Sequence, residues 1–256
     1  WDLAFASQAG ETDIRLNSSK LMYVRKTEGL NFDEVTSFAG DGPRYDKADG
    51  TASAMGDWTP GAIYVVDQGV DEVGEPQGRA KIEILGMDDL GWTLRVGSLS
   101  DNLGMEYFVP KDATRNVIHF SFTEGALALE PPREDWDLLF THYTLFFDEL
   151  FGQQNIYYLV AGVLSNPYQV QTQDLTLTDF DSIDIDYVSS VQLSTARDGI
   201  GYDWKEFELA GESYSIIDNA FLLQSVEGSQ FKLQFTSFLD QNGDRGAPTF
   251  QFARLN

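Results

Sequence analysis

Apolar and polar residues alternate along much of this chain. Val117-Ile118-His119-Phe120-Ser121-Phe122, Phe231-Lys232-Leu233-Gln234-Phe235, Thr249-Phe250-Gln251-Phe252 and Ile183-Asp184-Ile185-Asp186-Tyr187 all follow the pattern. A period of two puts the apolar side chains on one face of an extended segment, so each is predicted to be a half-buried strand. Glu124-Gly125, Asp198-Gly199, Glu227-Gly228-Ser229 and Asn242-Gly243-Asp244 mark turns between such segments. Long amphipathic helical stretches are hard to find. The segment from Trp136 to Phe151 tolerates a helical reading through Leu138, Leu139, Phe140, Leu145, Phe146 and Phe147. Trp136-Asp137-Leu138-Leu139-Phe140 is read as a strand because a similar segment, Trp1-Asp2-Leu3-Ala4-Phe5, opens the chain. The predicted fold class is all-β, mostly antiparallel.

That resemblance between segments is one of two. Trp92-Thr93-Leu94-Arg95-Val96-Gly97-Ser98-Leu99-Ser100-Asp101-Asn102 resembles Phe231-Lys232-Leu233-Gln234-Phe235-Thr236-Ser237-Phe238-Leu239-Asp240-Gln241-Asn242. Trp1 and Trp136 are 135 positions apart, and Leu94 and Leu233 are 139. Two signatures recurring in one order at nearly one spacing predict a duplicated domain, because solenoid units are only about 20–50 residues long. The expected division is 1–113 and 114–256, at the polar interruption Pro110-Lys111-Asp112-Ala113. The reused tryptophans Trp1 and Trp136 are expected to be buried.

Composition changes the picture in two respects. Lys and Arg number 17 against 41 Asp and Glu, for a formal charge of −24. Such a surface repels phosphate backbones and anionic lipid, so nucleic acid and a membrane surface are excluded as primary partners. There is no cysteine, which removes disulfides, thiolate zinc sites, iron–sulfur clusters and Cys nucleophiles. No run approaches the roughly 18 apolar residues of a membrane span. The chain begins at Trp1, not a natural start, so any targeting sequence or lipid-bearing Cys would lie upstream of it.

The second half resembles the HmuY-like family of bacterial surface lipoproteins, with the haem-binding hemophore fold. The resemblance rests on His119-Phe120-Ser121-Phe122 and its acidic connection, and on Asp135-Trp136-Asp137-Leu138-Leu139-Phe140 followed by Tyr143. It rests also on the hairpin Phe221-Leu222-Leu223, Phe231 to Phe238, and Gly246-Ala247-Pro248-Thr249-Phe250-Gln251-Phe252. These landmarks span 115–256, and the first half repeats two of them, which makes a tandem arrangement. The resemblance implies an exported protein of the cell surface or outer membrane, anchored by lipid, that hands haem or a related porphyrin to an outer-membrane transporter. It also implies two axial side chains on the iron, commonly His. The corresponding stretch, Asp179 to Ser213, contains neither His nor Met, and neither does the stretch between Trp58 and Leu85. No residue inherits a ligand role.

The remaining candidates come from residue chemistry. Haem iron takes imidazole or thioether donors, and the chain has His119, His142, Met22, Met55, Met87 and Met105. His142, after the Trp-Asp strand and beside Tyr143, is the candidate imidazole; Met55, near Gly56-Asp57-Trp58, is the candidate thioether. Tyr202 and Trp204, beside Asp198-Gly199, are the candidate exposed aromatic platform for a flat ligand. Trp92 is expected in the core. Asp179, Asp181, Asp184 and Asp186 gather hard oxygen donors that suit Ca²⁺, with Asp184 and Asp186 on one face of a strand; a solvated acidic face is the alternative. Asp240-Gln241-Asn242-Gly243-Asp244 fails as a calcium loop, because Arg245 replaces the required Gly and Gln251 the required Glu. No Gly-x-Ser-x-Gly elbow, Gly-Lys-Ser/Thr loop or His-Glu-x-x-His occurs. The expected function is therefore non-catalytic binding of haem or porphyrin, against an interaction or carbohydrate-associated β-sandwich without a metal centre.

Overall fold

The structure, a computed structural model, describes residues 1–176, 178–208, 211 and 213–255. It is built from antiparallel strands, as alternation predicts. In chain order these are β1 (Leu3–Ala6), β2 (Ile14–Leu16), β3 (Tyr23–Lys26), β4 (Ala62–Asp67), β5 (Arg79–Met87) and β6 (Gly91–Ser98). Then come β7 (Met105–Pro110), β8 (Val117–Ser121), β9 (Gly125–Leu127), β10 (Leu138–Leu150), β11 (Gln153–Ser165) and β12 (Gln171–Thr176). The last are β13 (Lys205–Glu208), β14 (Ser213–Ile216), β15 (Asn219–Gln224), β16 (Gln230–Leu239) and β17 (Arg245–Arg254). One short helix, α1 (Ile185–Val188), falls where alternation had placed a strand carrying Asp184 and Asp186. Asp184 caps it, accepting from the Tyr187 amide at 2.8 Å, and that local bond outcompetes extended backbone.

The chain forms two compact units. The first comprises Trp1–Arg133 and Tyr143–Leu159, the second Glu134–His142 and Val160–Asn256. Strand β8 lies beyond the boundary expected at 113/114, yet it pairs with β1 in the first unit, Phe120 opposite Leu3. The hairpin β10–β11 is divided between the units.

In the first unit, the sheet β3-β4-β5-β6-β7 faces the sheet β2-β1-β8-β9. Leu3, Phe5, Ile14 and Phe120 meet Val24, Tyr64, Ile82, Ile84, Trp92 and Leu94 in one core. The other face of the larger sheet is also covered: Ile63 and Val65 pack against Phe32 and Val35, from the 3-10 turn Phe32–Glu34 and its end. Lys81 reads from the sequence as solvent-facing, but this cover buries it completely. Its ammonium donates to the Phe32 and Val35 carbonyls at 2.7 and 3.0 Å and lies over the Phe32 ring at 4.5 Å. Burial lowers its pKa.

The second unit repeats this plan in the sheet β12-β15-β16-β17. Phe221, Leu233 and Phe235 fill one face, while Ala220 and Leu222 pack on Ile183 on the other. Lys232 donates to the Phe180 and Ile183 carbonyls at 2.7 and 3.1 Å, over the Phe180 ring at 4.4 Å. The register agrees too: Val65 opposes Lys81, and Leu222 opposes Lys232. Both strands bulge at the corresponding place, between Ile84 and Gly86 and between Phe235 and Ser237. The Trp-Asp segments also agree. Asn17 donates its side-chain amide to the Trp1 carbonyl and its backbone N–H to the Asp2 carbonyl; Asn166 does the same to Trp136 and Asp137. Asp2 accepts from the Phe122 amide, and Asp137 from the Val226 amide, each at 2.8 Å.

Two expectations change. By its register β16 corresponds to β5, not to β6, so Leu233 is not the counterpart of Leu94; Phe250 is. Neighbouring strands of one sheet carry the same alternation, and sequence similarity alone slipped by a strand. Trp1 and Trp136 are only half-buried, because the carbonyls and carboxylate of the motif, rather than the indoles, hold the segment in place.

Candidate functional site

The first unit carries a run of five aromatic rings. Tyr23 projects from β3 on the side opposite the buried Val24, and Tyr45 follows Arg44, which bridges to Val24. Their rings stack at 5.2 Å and 28°. Tyr157, on the part of β11 that belongs to this unit, lies on Tyr45 at 3.7 Å and 14°. Phe146 of β10 meets Tyr157 at 5.1 Å, and Phe38 meets the far side of Tyr23 at 5.4 Å. Thr144 fixes this part of the hairpin by donating its hydroxyl to the Ser18 carbonyl at 2.6 Å. The hairpin turns at Phe151 and Gly152, with φ of 52° and 75°. That pair of left-handed residues matches a two-residue turn whose twist suits the strands.

The outer end of the run is accessible: Phe146 is 44% exposed. Burial pushes the Tyr45 phenol up to about 12, reinforced by Tyr23 and Tyr157. It is therefore neutral near pH 7, and it stacks rather than acting as an anionic oxygen donor. Flat rings presented this way offer a planar ligand dispersion and quadrupole contacts without demanding a charge.

The residues singled out from sequence lie elsewhere. His142 is exposed on β10 and falls in the second unit. Met55 is 0% exposed in the core of the first unit, beneath the Tyr64 hydroxyl, which donates to its carbonyl; its thioether packs and has no route to a ligand. Trp204 is 1% exposed, stacked on Phe235 at 4.0 Å, and so is core rather than platform. Tyr202 is half-buried, and its carbonyl accepts from Lys205, whose ammonium burial lowers to about 8. Trp92 is in the core, as expected, donating its indole N–H to the Ala6 carbonyl.

The four aspartates are exposed, and two of them, Asp179 and Asp184, serve the backbone. Asp179 accepts from the Asp181 amide to cap a 3-10 turn, and Asp184 caps α1. Among the described residues no group of three His, Cys, Asp or Glu side chains could hold a metal ion, so the Ca²⁺ reading is not supported. The aromatic run escaped the sequence reading because its members are scattered from Tyr23 to Tyr157. Only the aromatic doublets Phe146-Phe147 and Tyr157-Tyr158 signal it.

The donors also fail a test for paired axial ligation of haem. Met22 and Met55 are buried in the core, and the Met87 sulfur takes the Lys111 ammonium at 3.2 Å. His119 sits edge-on to Trp1 at 4.5 Å, its imidazole lowered by burial to about 4. In the second unit His142 is the single imidazole or thioether donor. Met105 and His142 are the exposed donors, and they fall in different units, so neither unit presents two exposed imidazole or thioether donors as a paired axial set.

No curated protein matches the chain. One family model, described as HmuY protein, matches residues 1–252. The match runs through both units, whereas the sequence landmarks had been placed in 115–256. On that span the chain belongs to the HmuY family.

Proposed function

We propose that this protein is a non-catalytic binding protein, exported and surface-associated, whose ligand is a flat macrocycle of the haem type. Membership of the HmuY family, a haem-binding family of surface proteins, supports the class of ligand. The stacked rings Tyr23–Tyr45–Tyr157, with Phe146 tilted against the last and open to solvent, are the observation that carries the mode of binding. Aromatic stacking, not a pair of axial side chains, holds the ring. Delivery to an outer-membrane transporter and attachment through a lipid anchor belong to the same reading. The matching clamps at Lys81 and Lys232 further support an internal duplication, divided as the compact units are rather than at residue 113.

The test compares haem with metal-free protoporphyrin. Both should bind with similar affinity, with a saturable absorbance shift, and Phe146→Ala and Tyr157→Ala should each weaken both. The His119→Ala, His142→Ala double variant should keep the parent's haem spectrum. No uptake by the parent protein, or a ligand-field change in the histidine variant, overturns the proposal.

A further inference from the structure

A second opening in the first unit owes nothing to the aromatic run's exposed end. It is a cleft of about 670 Å³ over the turn-covered face of the larger sheet, lined by Asp67, Arg79, Thr36 and Ser100 with Pro76 and Leu99. This lies within the range of small-molecule sites, about 300–1,000 Å³. Asp67 ends β4, and Arg79 opens β5 directly opposite it. Their side chains share one side of the sheet, and Arg79 Nε meets Asp67 Oδ2 at 3.0 Å. The guanidinium also lies over the Phe38 ring at 4.2 Å. Held by a carboxylate at one edge and a ring beneath, the planar fork is fixed before any ligand arrives.

The second unit shows that the frame does not need this pair. Its register puts Gln224 opposite Gln230 at the corresponding place, and that sheet is complete with two neutral side chains. The pair in the first unit is thus a local specialisation. Its chemistry is also selective. An Asp–Arg pair offers donors and acceptors in one plane at zero net charge, in a protein of net charge −24 that repels anions. Vicinal hydroxyls, each able to donate and accept, satisfy both halves at once. Thr36 and Ser100 add hydroxyls, and Pro76 and Leu99 add apolar wall for the C–H face of a sugar ring.

We propose that this cleft is a binding site for a neutral saccharide, with Asp67 and Arg79 gripping adjacent hydroxyls. The site adjoins the inner end of the aromatic run through Phe38 and Tyr23, and its test does not require that a macrocycle binds.

The experiment follows the Arg79 Nε–H resonance of the full chain while maltose, lactose, chitobiose or glucuronate is added, with and without haem. At least one neutral sugar should give a saturable shift in the protein without haem. In titration calorimetry, which reads parent and variants alike, Arg79→Lys, which keeps the charge and loses the fork, should weaken binding roughly tenfold or more, as expected for losing a charge-assisted hydrogen bond. Asp67→Asn, a second variant at an edge position, should weaken it similarly, with folding checked by urea denaturation. The proposal falls if no neutral sugar moves the resonance, if only glucuronate does, or if Arg79→Lys binds as the parent does. None of these results depends on whether haem binds.

Discussion

Where the first unit places Asp67 opposite Arg79, and Tyr23 and Tyr45 on the same flank, the second places Gln224 opposite Gln230, with Gln171 and Thr195. The interiors do not differ in this way. Both sheets are covered on two faces, and both hold a 3-10 turn through a buried lysine over an aromatic ring. The comparison separates what the frame requires from what has been added to it. Lysine clamps, bulges and Trp-Asp hydrogen bonds recur. The Asp67–Arg79 pair and the ring run from Phe38 to Phe146 belong to the first unit, and those are the groups to which ligand chemistry is assigned here.

The sharpest break would come in the cores. Trp92→Ala and Trp204→Ala should each cost about 3–5 kcal/mol in urea denaturation. Trp92 should be the dearer, because its loss orphans the Ala6 carbonyl, while the Trp204 indole N–H is buried without an acceptor. Equal costs would remove that distinction. Next in size, Lys81→Met and Lys232→Met each leave two carbonyls without their donor, for about 2–3 kcal/mol. The two values should agree within about 1 kcal/mol. If one substitution is silent, the clamps are not equivalent.

A smaller effect belongs to the first unit alone. His119 titrates near 4 in the folded protein, below the ordinary value of about 6.5. Between those values the unfolded chain binds the proton and the folded chain does not. Stability should therefore fall as pH drops from about 6.5 toward about 4, by about 1–2 kcal/mol after discounting for partial exposure, and stay flat above. His119→Phe should abolish the slope, as a pH series of denaturation midpoints would reveal. The smallest effect sharpens the comparison most. Converting Asp67 and Arg79 to the glutamines of the second unit should change stability by less than about 1 kcal/mol, while removing saccharide binding. A large loss would make the pair structural.

Alternation made β8, β16 and β17 legible, because period two is imposed by the backbone itself. It did not disclose what covers each face. Arg79-Ala80-Lys81-Ile82-Glu83-Ile84 reads as a half-exposed strand, yet the chain from Phe32 to Val35 closes over Lys81. The Trp-Asp repeat was recognised, but its indoles were credited with work done by the carbonyls and by Asn17 and Asn166, which carry no visible periodicity. The candidate sites were the least legible. Tyr45 and Tyr157 are 112 positions apart, and nothing in either neighbourhood announces the other. Met55 and Trp204 looked available only because Gly and Asp flank them; flanking turns report backbone shape, not side-chain exposure.

The divided hairpin has a consequence for synthesis. The first unit uses residues through Leu159, after nine residues, Glu134–His142, that belong to the second. A chain still leaving the ribosome cannot close its first unit once residue 133 has emerged; it must wait for the returning strand of the hairpin. The second unit likewise lacks its opening segment if made alone from Val160. Cutting between residues 113 and 114, or after 133, would yield fragments that each lack a piece of their own unit, and neither should refold independently. Mixed together, such halves should recover structure only by complementing one another, with a dependence on concentration that the intact chain lacks.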